Sequence, residues 1–459
     1  MQIFRRISVF VYFLSVVALV AGLVSRAYAE EAVKKPDIDV FTLENGLQVV
    51  VVPQRRVPIV THLLAYKVGA ADEPPGLSGM AHFFEHLMFK ATKNHAAGEL
   101  DAAVQALGGS HNAFTTHDMT VYHQKVPPSA LEQMMAFEAD RMRNLILDDE
   151  TIETERQVVL EERLMRTDNN PGGILGEAFG AALFVNHPYG RPVIGWRNEI
   201  EGLTREQLID FYNRYYVPNN AILVVVGDVD AETVRQLAEK TYGKVERGPD
   251  LPERVRPTEP PARTERTVTL KDDRVTIPSF YQAWVAPAPY SEDRDLNDAL
   301  AVLGEILGGG ERSRLHRRLV IKDRTAARVY AYLSSDRDYA RFAVGADPIN
   351  PEALKAVEAA IREELEAVLQ DGVTAEELET AKKVYASQFV FARDNMMSRA
   401  VQYASDLIEG GTVDELDDAR ERLEAVTLEK IQEAARKYLL LDRSVKGYLM
   451  PADNETAAD

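Results

Sequence analysis

The spacing of apolar residues changes from strand-like to helix-like along each half of the chain. Short apolar runs typical of strands occupy 41–52 in the first half, and 267–270 and 279–285 in the second. Stretches with helical spacing follow at 77–88, 128–145, 149–165, 296–307, 351–369 and 375–394. Strands followed by runs of helices, in two copies, predict an α+β fold. We expect two homologous domains, each a mostly antiparallel sheet with helices packed on one face.

An internal repeat supports this two-part layout. Residues 203–226 and 426–448 both begin with a Thr in an N-cap position, continue as an amphipathic helix and end in a strand. At the same spacing Thr204 matches Thr427 and Tyr215 matches Tyr438. Any two cap–helix–strand units share some of these features, but the match of 77–88 with 296–307 favours a duplication.

Residues 248–265 separate the two halves. This stretch contains five Pro and many charged residues, so it can form neither a helix nor a central strand. We interpret it as an extended linker between an N-terminal domain at 30–247 and a C-terminal domain at 266–459.

The first 29 residues have the features of a secretory signal. Arg5 and Arg6 precede an apolar run at 7–24, and Ala27 and Ala29 occupy the positions that determine cleavage. A signal of this kind predicts a periplasmic or secreted protein. The apolar run is long, so an uncleaved inner-membrane anchor through 7–24 is the alternative, and only then would the chain contact a membrane.

Composition excludes several classes of protein and of site. The chain of 459 residues has 53 Lys and Arg against 72 Asp and Glu, a net charge of −19, which argues against a nucleic-acid binder. It contains no Cys, so thiolate zinc sites, iron–sulfur clusters and cysteine nucleophiles are excluded. Any metal must therefore be bound by His and carboxylate side chains.

The candidate chemistry lies in the first predicted helix, which contains the sequence His-Phe-Phe-Glu-His at 82–86. His82 and His86 are one helical turn apart, so both imidazoles can reach one tetrahedral cation such as Zn²⁺. Glu85 borders the same face and is placed to take a proton from the attacking water. This order inverts the more common zinc motif. Two surface His on a helix are the alternative, but an apolar helix makes unpartnered His and Glu costly.

A third ligand must come from another segment. The helix predicted from residue 149 offers five acidic candidates: Glu150, Glu153, Glu155, Glu161 and Glu162. Glu155 and Glu162 are two helical turns apart on one face, so one could bind metal while the other supports a ligating His. The spacing does not choose between them, and it does not exclude Glu161.

Three segments together resemble a known family. They are GLSGMAHFFEHLMFKATK at 76–93, GGSHNAFTTHDMTVYHQKVP at 108–127 and ERQVVLEERLMR at 155–166. They closely resemble the pitrilysin-like zinc metallopeptidases with the inverted zinc motif, which include mitochondrial processing peptidase and insulin-degrading enzyme. The likeness covers nearly all of the chain after the leader. Its length resembles the short branch, in which two subunits form one chamber around peptide substrates.

The resemblance assigns roles to particular residues. It implies that His82, His86 and Glu162 bind zinc, that Glu85 is the general base and that Glu155 supports a ligating His. Asn112 and Ala113 match the family's pair on an edge strand, to which a substrate peptide adds as a further strand. Without the family, these two residues would be ordinary turn-to-strand sequence.

One departure from the family concerns the second half. Many members carry an Arg and a Tyr seven residues apart that hold substrate and stabilise the tetrahedral intermediate, and the pattern places them here at Val320 and Ala327. We therefore expect a homologous partner subunit to supply that pair in a heterodimer. The competing interpretation is a non-catalytic structural or assembly subunit of the same fold.

Overall fold

Residues 38–415 and 417–452 are described by the structure, a computed structural model. The predicted leader at 1–29 lies outside these residues. No helix in the described ranges is long and apolar enough to cross a lipid bilayer.

The N-terminal half folds around a six-stranded sheet with the strand order β1-β2-β6-β3-β5-β4. Its strands are β1 (Asp39–Thr42), β2 (Gln48–Pro53), β3 (Val60–Tyr66), β4 (Ser110–Thr115), β5 (Thr120–Val126) and β6 (Ala221–Gly227). Only β2 and β6 pair in parallel, and every other pair is antiparallel. This half also contains the helices α1 (Met80–Leu87), α2 (Glu99–Ala106), α3 (Leu131–Arg141), α4 (Asp149–Arg163), α5 (Pro171–Leu183), α6 (Arg197–Gly202), α7 (Arg205–Tyr215) and α8 (Ala231–Lys240).

The C-terminal half contains a five-stranded sheet with the order β7-β11-β8-β10-β9. Its strands are β7 (Arg266–Asp272), β8 (Ser279–Pro287), β9 (Ala326–Ser335), β10 (Tyr339–Pro348) and β11 (Val445–Pro451). Again one pair, β7 with β11, is parallel and the rest are antiparallel. The helices of this half are α9 (Arg294–Gly308), α10 (Leu354–Asp371), α11 (Ala375–Asp394), α12 (Met396–Glu409), α13 (Ala419–Ala425) and α14 (Leu428–Tyr438).

The two sheets have the same topology. Strands β2, β6, β3, β5 and β4 of the first sheet correspond in order and direction to β7, β11, β8, β10 and β9 of the second. The repeated helices α7 and α14 precede the corresponding strands β6 and β11, and Thr204 and Thr427 cap them as predicted. The predicted α+β fold with two mostly antiparallel sheets is confirmed.

Each sheet has helices on both faces, because the two halves exchange one helix. Helix α5 of the first half packs against β7, β11 and β8, and its Phe179 and Leu183 share one buried apolar cluster with Ala283 and Val445. Helix α12 of the second half packs against β3 and β6. The near-continuous apolar sequence of β6 follows from this arrangement, since both of its faces are buried.

The segment between the halves is tied to both of them. Residues 246–265 form no strand or helix, as their Pro content predicts. The guanidinium of Arg256 contacts Asp72 and Asp118 of the first half and Asp338 of the second. The carboxylate of Glu259 accepts hydrogen bonds from the backbone N–H groups of residues 185–187. These contacts make the linker an ordered strap.

Candidate zinc-binding site

Helix α1 owes its position to its apolar side chains. Phe83, Phe84 and Leu87 are fully buried in the core between the first sheet and its helices. The helix begins after Gly79, whose φ of 90° favours glycine and whose lack of a side chain leaves the N-terminus without a local cap. The buried carboxylate of Glu73 takes that role, accepting hydrogen bonds from the N–H groups of Gly79 and Ala81 at 2.9 and 2.8 Å.

The opposite side of α1 presents its two His to helix α4. Nε2 of His86 lies 3.0 Å from Oε2 of Glu162, and Nε2 of His82 lies 3.7 Å from the same oxygen. Among the described residues, these three form the one group of His, Asp or Glu whose ligand atoms all lie within 4.8 Å of one another. The other oxygen of Glu162 contacts Arg166 at 2.6 Å. The structure therefore brings Glu162, rather than Glu161, to the two imidazoles.

These donors fit zinc in chemistry and spacing. Two imidazole nitrogens and one carboxylate oxygen form a common ligand set for catalytic zinc, which leaves one coordination position for water or substrate. A tetrahedral ion bound at about 2.0–2.1 Å holds its ligands about 3.3 Å apart. The observed separations of 3.0 and 3.7 Å lie on either side of that value.

Glu155 lies behind His86 rather than beside His82. Nδ1 of His86 donates to Oε1 of Glu155 at 3.0 Å, and the ammonium of Lys90 contacts the second oxygen of Glu155. This carboxylate is buried and has both oxygens engaged. It is therefore positioned to orient His86 and not to bind a metal itself.

Burial and neighbouring charges shift the pKa values of the two imidazoles in opposite directions. Burial lowers the pKa of His82 to about 4, so this ring is neutral at physiological pH. Burial also disfavours a charged His86, but its hydrogen bonds to Glu155 and Glu162 raise the pKa of His86 to about 9. A cation at His86 is thus stabilised by two carboxylates, which is the electrostatic environment that a metal ion requires.

Glu85 lies beside the metal-ligand group and has its own partner. The hydroxyl of Thr115, at the end of β4, donates to Oε2 of Glu85 at 2.7 Å. Burial raises the pKa of the Glu85 carboxyl, while the hydrogen bond from Thr115 opposes that shift. A carboxylate of raised pKa that remains ionisable suits a group that must both take and release a proton.

Strand β4 lies at the edge of the first sheet, and no described strand pairs with its outer side. Thr116 N–H donates to Met119 O at the hairpin end, and the register with β5 is regular. Thr116 and Met119 therefore form a hydrogen-bonded pair. Hydrogen-bonded and non-hydrogen-bonded pairs alternate along an antiparallel ladder, so Ala113 and Thr115 belong to non-hydrogen-bonded pairs. Their N–H and C=O groups therefore face away from β5. In agreement, Ala113 N–H is occupied by the side-chain oxygen of Asn112 at 2.9 Å rather than by β5.

All seven residues predicted for the site line one open cavity of about 1050 Å³. They are His82, Glu85, His86, Asn112, Ala113, Glu155 and Glu162. Sequence reasoning missed Thr115, Lys90 and Arg166, which complete the hydrogen bonds and ion pairs of this group. Arg166 follows Glu162 by one helical turn, a spacing that could have identified that pair.

Comparison with known proteins places this site in a family. A model described as "Insulinase (Peptidase family M16)" matches residues 49–196, and one described as "Peptidase M16 inactive domain" matches residues 202–385. The zinc protease PqqE of Helicobacter pylori is 32% identical over 424 residues, covering 91% of this chain and 93% of that protein. The chain belongs to peptidase family M16.

Another relative and two solved structures agree with this assignment. A zinc protease of Mycobacterium leprae is 32% identical over 409 residues, covering 87% of this chain and 88% of that protein. The crystal structure of a protease from Helicobacter pylori has a TM-score of 0.84 at 32% identity and covers 91% of this chain and all of that one. The periplasmic protease PqqL from Escherichia coli shares the fold, with a TM-score of 0.76 at 22% identity, covering 91% of this chain but 48% of that one.

The second half of this M16 chain lacks the elements of a second such site. Ala301, Gly304 and Glu305 of helix α9 stand where the first half has its His and Glu. Val320 lies in a π-helix at His316–Lys322, and Ala327 is an exposed residue of β9. Neither position provides the hydrogen-bond donor or aromatic hydroxyl that the family pattern places there.

Proposed function

We propose that this M16 chain is a zinc-dependent endopeptidase that hydrolyses extended or unfolded peptides in a chamber completed by a homologous subunit. The observation that carries the proposal is the arrangement of one cavity. Two imidazoles and a carboxylate converge there beside Glu85, next to the outer edge of β4.

His82, His86 and Glu162 would bind the zinc ion, and Glu155 would hold the ring of His86 in place. When bound, the ion polarises the scissile carbonyl and lowers the pKa of the attacking water. Helix α1 fixes the relative position of the two His through its buried aromatic face, so the ligand geometry is set before the metal binds.

The substrate would add to β4 as a further strand. The outward peptide groups of Ala113 would exchange hydrogen bonds with its main chain, which would favour extended peptides over folded proteins. Asn112 occupies the N–H group of Ala113 and would release it when the peptide binds. Main-chain recognition of this kind gives affinity with little dependence on side-chain sequence.

Glu85 would act as the proton shuttle. Its carboxylate takes a proton from the attacking water and delivers it to the nitrogen of the departing amine. Thr115 holds Oε2 of this carboxylate, which leaves the other oxygen available for the proton. The tetrahedral oxyanion also needs donors, and the Arg and Tyr that supply them in related chains are missing at Val320 and Ala327.

A partner subunit carrying an Arg and a Tyr at the corresponding positions would supply those donors across the chamber. PqqL supports this proposal at the level of fold, because this chain corresponds to about half of that longer one. We also propose a periplasmic or secreted location, on the basis of the leader at 1–29. The competing function is that of a non-catalytic subunit. It is supported by the same absence of an Arg and a Tyr at Val320 and Ala327.

Zinc content and peptide cleavage, measured on the chain alone and with a candidate partner, test the proposal. We expect stoichiometric zinc, weak cleavage alone and strong cleavage in the mixture. Glu85→Gln should retain zinc and lose at least about 100-fold in kcat, whereas His82→Ala should lose both. Glu161→Gln, a change in the same cavity outside the ligand group, is the matched control and should remain active.

The outcomes separate the parts of the proposal. Normal turnover by Glu85→Gln would refute the role of Glu85. Full activity of the chain alone would remove the need for a partner and leave the peptidase intact. Bound zinc without cleavage in any mixture would instead favour the non-catalytic subunit.

A further inference from the structure

A second cavity, of about 850 Å³, lies where both halves of the chain and the strap between them meet. It shares no lining residue with the cavity of the candidate zinc site. Six cationic side chains line it: Lys67, Arg191, Arg214, Arg254, Arg256 and Arg337. In a chain with a net charge of −19, this concentration of positive charge requires an explanation.

The carboxylates in the wall do not neutralise these cations. Asp72 is the partner of both Arg254 and Arg256, so its two oxygens are already engaged. Both oxygens of Glu73 accept hydrogen bonds from the N-terminus of α1, and burial raises the pKa of its carboxyl to about 8. Glu253 is exposed. Asp118 and Asp338, which lie outside the lining, pair with Arg256, and Asp338 also contacts Arg337. The remaining cations give the wall an excess of positive over negative charge at neutral pH.

Three of the cations lack a carboxylate partner. Within the described residues, no Asp or Glu oxygen lies within 4 Å of the charged groups of Lys67, Arg191 or Arg214. The guanidinium of Arg191 makes one hydrogen bond, to the backbone oxygen of Glu73 at 3.0 Å. Nη1 of Arg254 is inaccessible to solvent and has no hydrogen-bond partner. Lys67 and Arg191 are half-buried, whereas Arg214 is exposed. Charge that is withdrawn from water without a partner is costly, which indicates that Lys67 and Arg191 are retained to meet a ligand.

The cations also repel one another. Burial lowers the pKa of Lys67, and the neighbouring charges of Arg254 and Arg337 lower it further. Burial likewise lowers the pKa of Arg254, and Arg256 and Arg337 add to the effect. An anion placed between these side chains would relieve the repulsion.

We propose that this cavity binds a small phosphate-bearing anion, held by Lys67, Arg191, Arg214, Arg254 and Arg337. Guanidinium groups donate two parallel hydrogen bonds to phosphate oxygens, and four of the five side chains are Arg. A volume of about 850 Å³ exceeds that of a single phosphate group and leaves room for a di- or triphosphate.

The five cationic side chains come from three different segments of the chain. Lys67, Arg191 and Arg214 belong to the first half, Arg254 to the strap and Arg337 to the second half. The site is complete only when all three segments are folded together. A bound anion should therefore stabilise the native chain against unfolding, independently of zinc or peptidase activity.

Isothermal titration calorimetry on the full chain tests this proposal, with inorganic phosphate and tripolyphosphate as probes. About 0.15 M NaCl should be present to screen weak surface attraction. We expect saturable binding at one site, tighter for tripolyphosphate. Lys67→Gln and Arg214→Gln should each weaken it by at least about 10-fold, the loss of one charge-assisted hydrogen bond. Arg214 is exposed, so its replacement leaves the fold intact.

Lys383→Gln, which removes an exposed lysine of α11 outside the cavity, is the matched control and should bind normally. A rise in Tm with tripolyphosphate, beyond that in NaCl of equal ionic strength, would further support the proposal. The absence of saturable binding, equal or tighter binding of sulfate or citrate, or unchanged affinity in both cavity variants would overturn it.

Discussion

His86 is held between two carboxylates, with Nδ1 3.0 Å from Oε1 of Glu155 and Nε2 3.0 Å from Oε2 of Glu162. An ionised carboxylate can only accept hydrogen bonds, so the hydrogen bond to Glu155 places the proton of a neutral His86 ring on Nδ1. Nε2 then keeps its lone pair directed at the centre of the ligand group. Lys90, which follows the end of α1, contacts the other oxygen of Glu155.

This relationship predicts the effect of Glu155→Gln. The amide is a weaker acceptor and can present its NH₂ group to His86, so the ring should lose its fixed orientation. Zinc affinity, measured by competition with a chelator, should fall about 10- to 100-fold. Glu150→Gln, on an exposed site of the same helix, is the control and should bind zinc normally. Equal affinity of the two variants would contradict the orienting role of Glu155.

A second prediction concerns the outer edge of β4. Ala113→Pro removes one outward N–H group, and proline is tolerated where a strand edge needs no ladder bond. We expect KM for an extended peptide to rise about 3- to 10-fold, the cost of roughly one main-chain hydrogen bond. Zinc content and Tm should change little. An unchanged KM in a correctly folded variant would show that the peptide binds elsewhere.

A third prediction follows from His117, whose ring donates through Nε2 to the backbone oxygen of Arg191. Burial lowers the pKa of His117 to about 4. The unfolded chain takes up this proton near its ordinary pKa of about 6.5, whereas the folded chain does not. Stability should therefore fall as the pH drops from about 6.5 to 4, by at most about 3 kcal/mol from this residue.

Urea unfolding at pH 7 and pH 4.5 measures this effect. His117→Gln should show a smaller loss of unfolding free energy on acidification than the native chain. His95→Gln, which alters a residue near the surface that pairs with Glu99, should retain the full loss. Identical pH dependence in the native chain and His117→Gln would contradict the prediction.

The sequence reveals most of the site because its central features are local. One turn of α1 sets the spacing of His82 and His86, and two turns of α4 place Glu155 and Glu162 on one face. Which acid faces the His depends on how α1 and α4 pack together, and helical periodicity carries no information about that contact. The choice of Glu162 over Glu161 therefore came from the family resemblance, and the geometry agrees with it.

The parts that sequence reasoning missed depend on contacts between distant residues. Thr115 reaches Glu85 only because β4 lies beside α1. The exchange of α5 and α12 between the halves was not foreseen either, since an amphipathic helix does not indicate which sheet it will cover. Proline content identified the linker but does not indicate whether it is flexible or ordered. Its order depends on the contacts that Arg256 and Glu259 make with distant residues.

The strap leads to the last prediction. Arg256 is buried with the carboxylates of Asp72, Asp118 and Asp338, so Arg256→Ala would leave buried negative charge without its partner. The free energy of unfolding in urea should fall by about 3–5 kcal/mol. Arg247→Ala removes an exposed ion pair with Asp250 from the same segment and should cost less than about 1 kcal/mol. Similar losses in the two variants would show that the strap does not fasten the halves together.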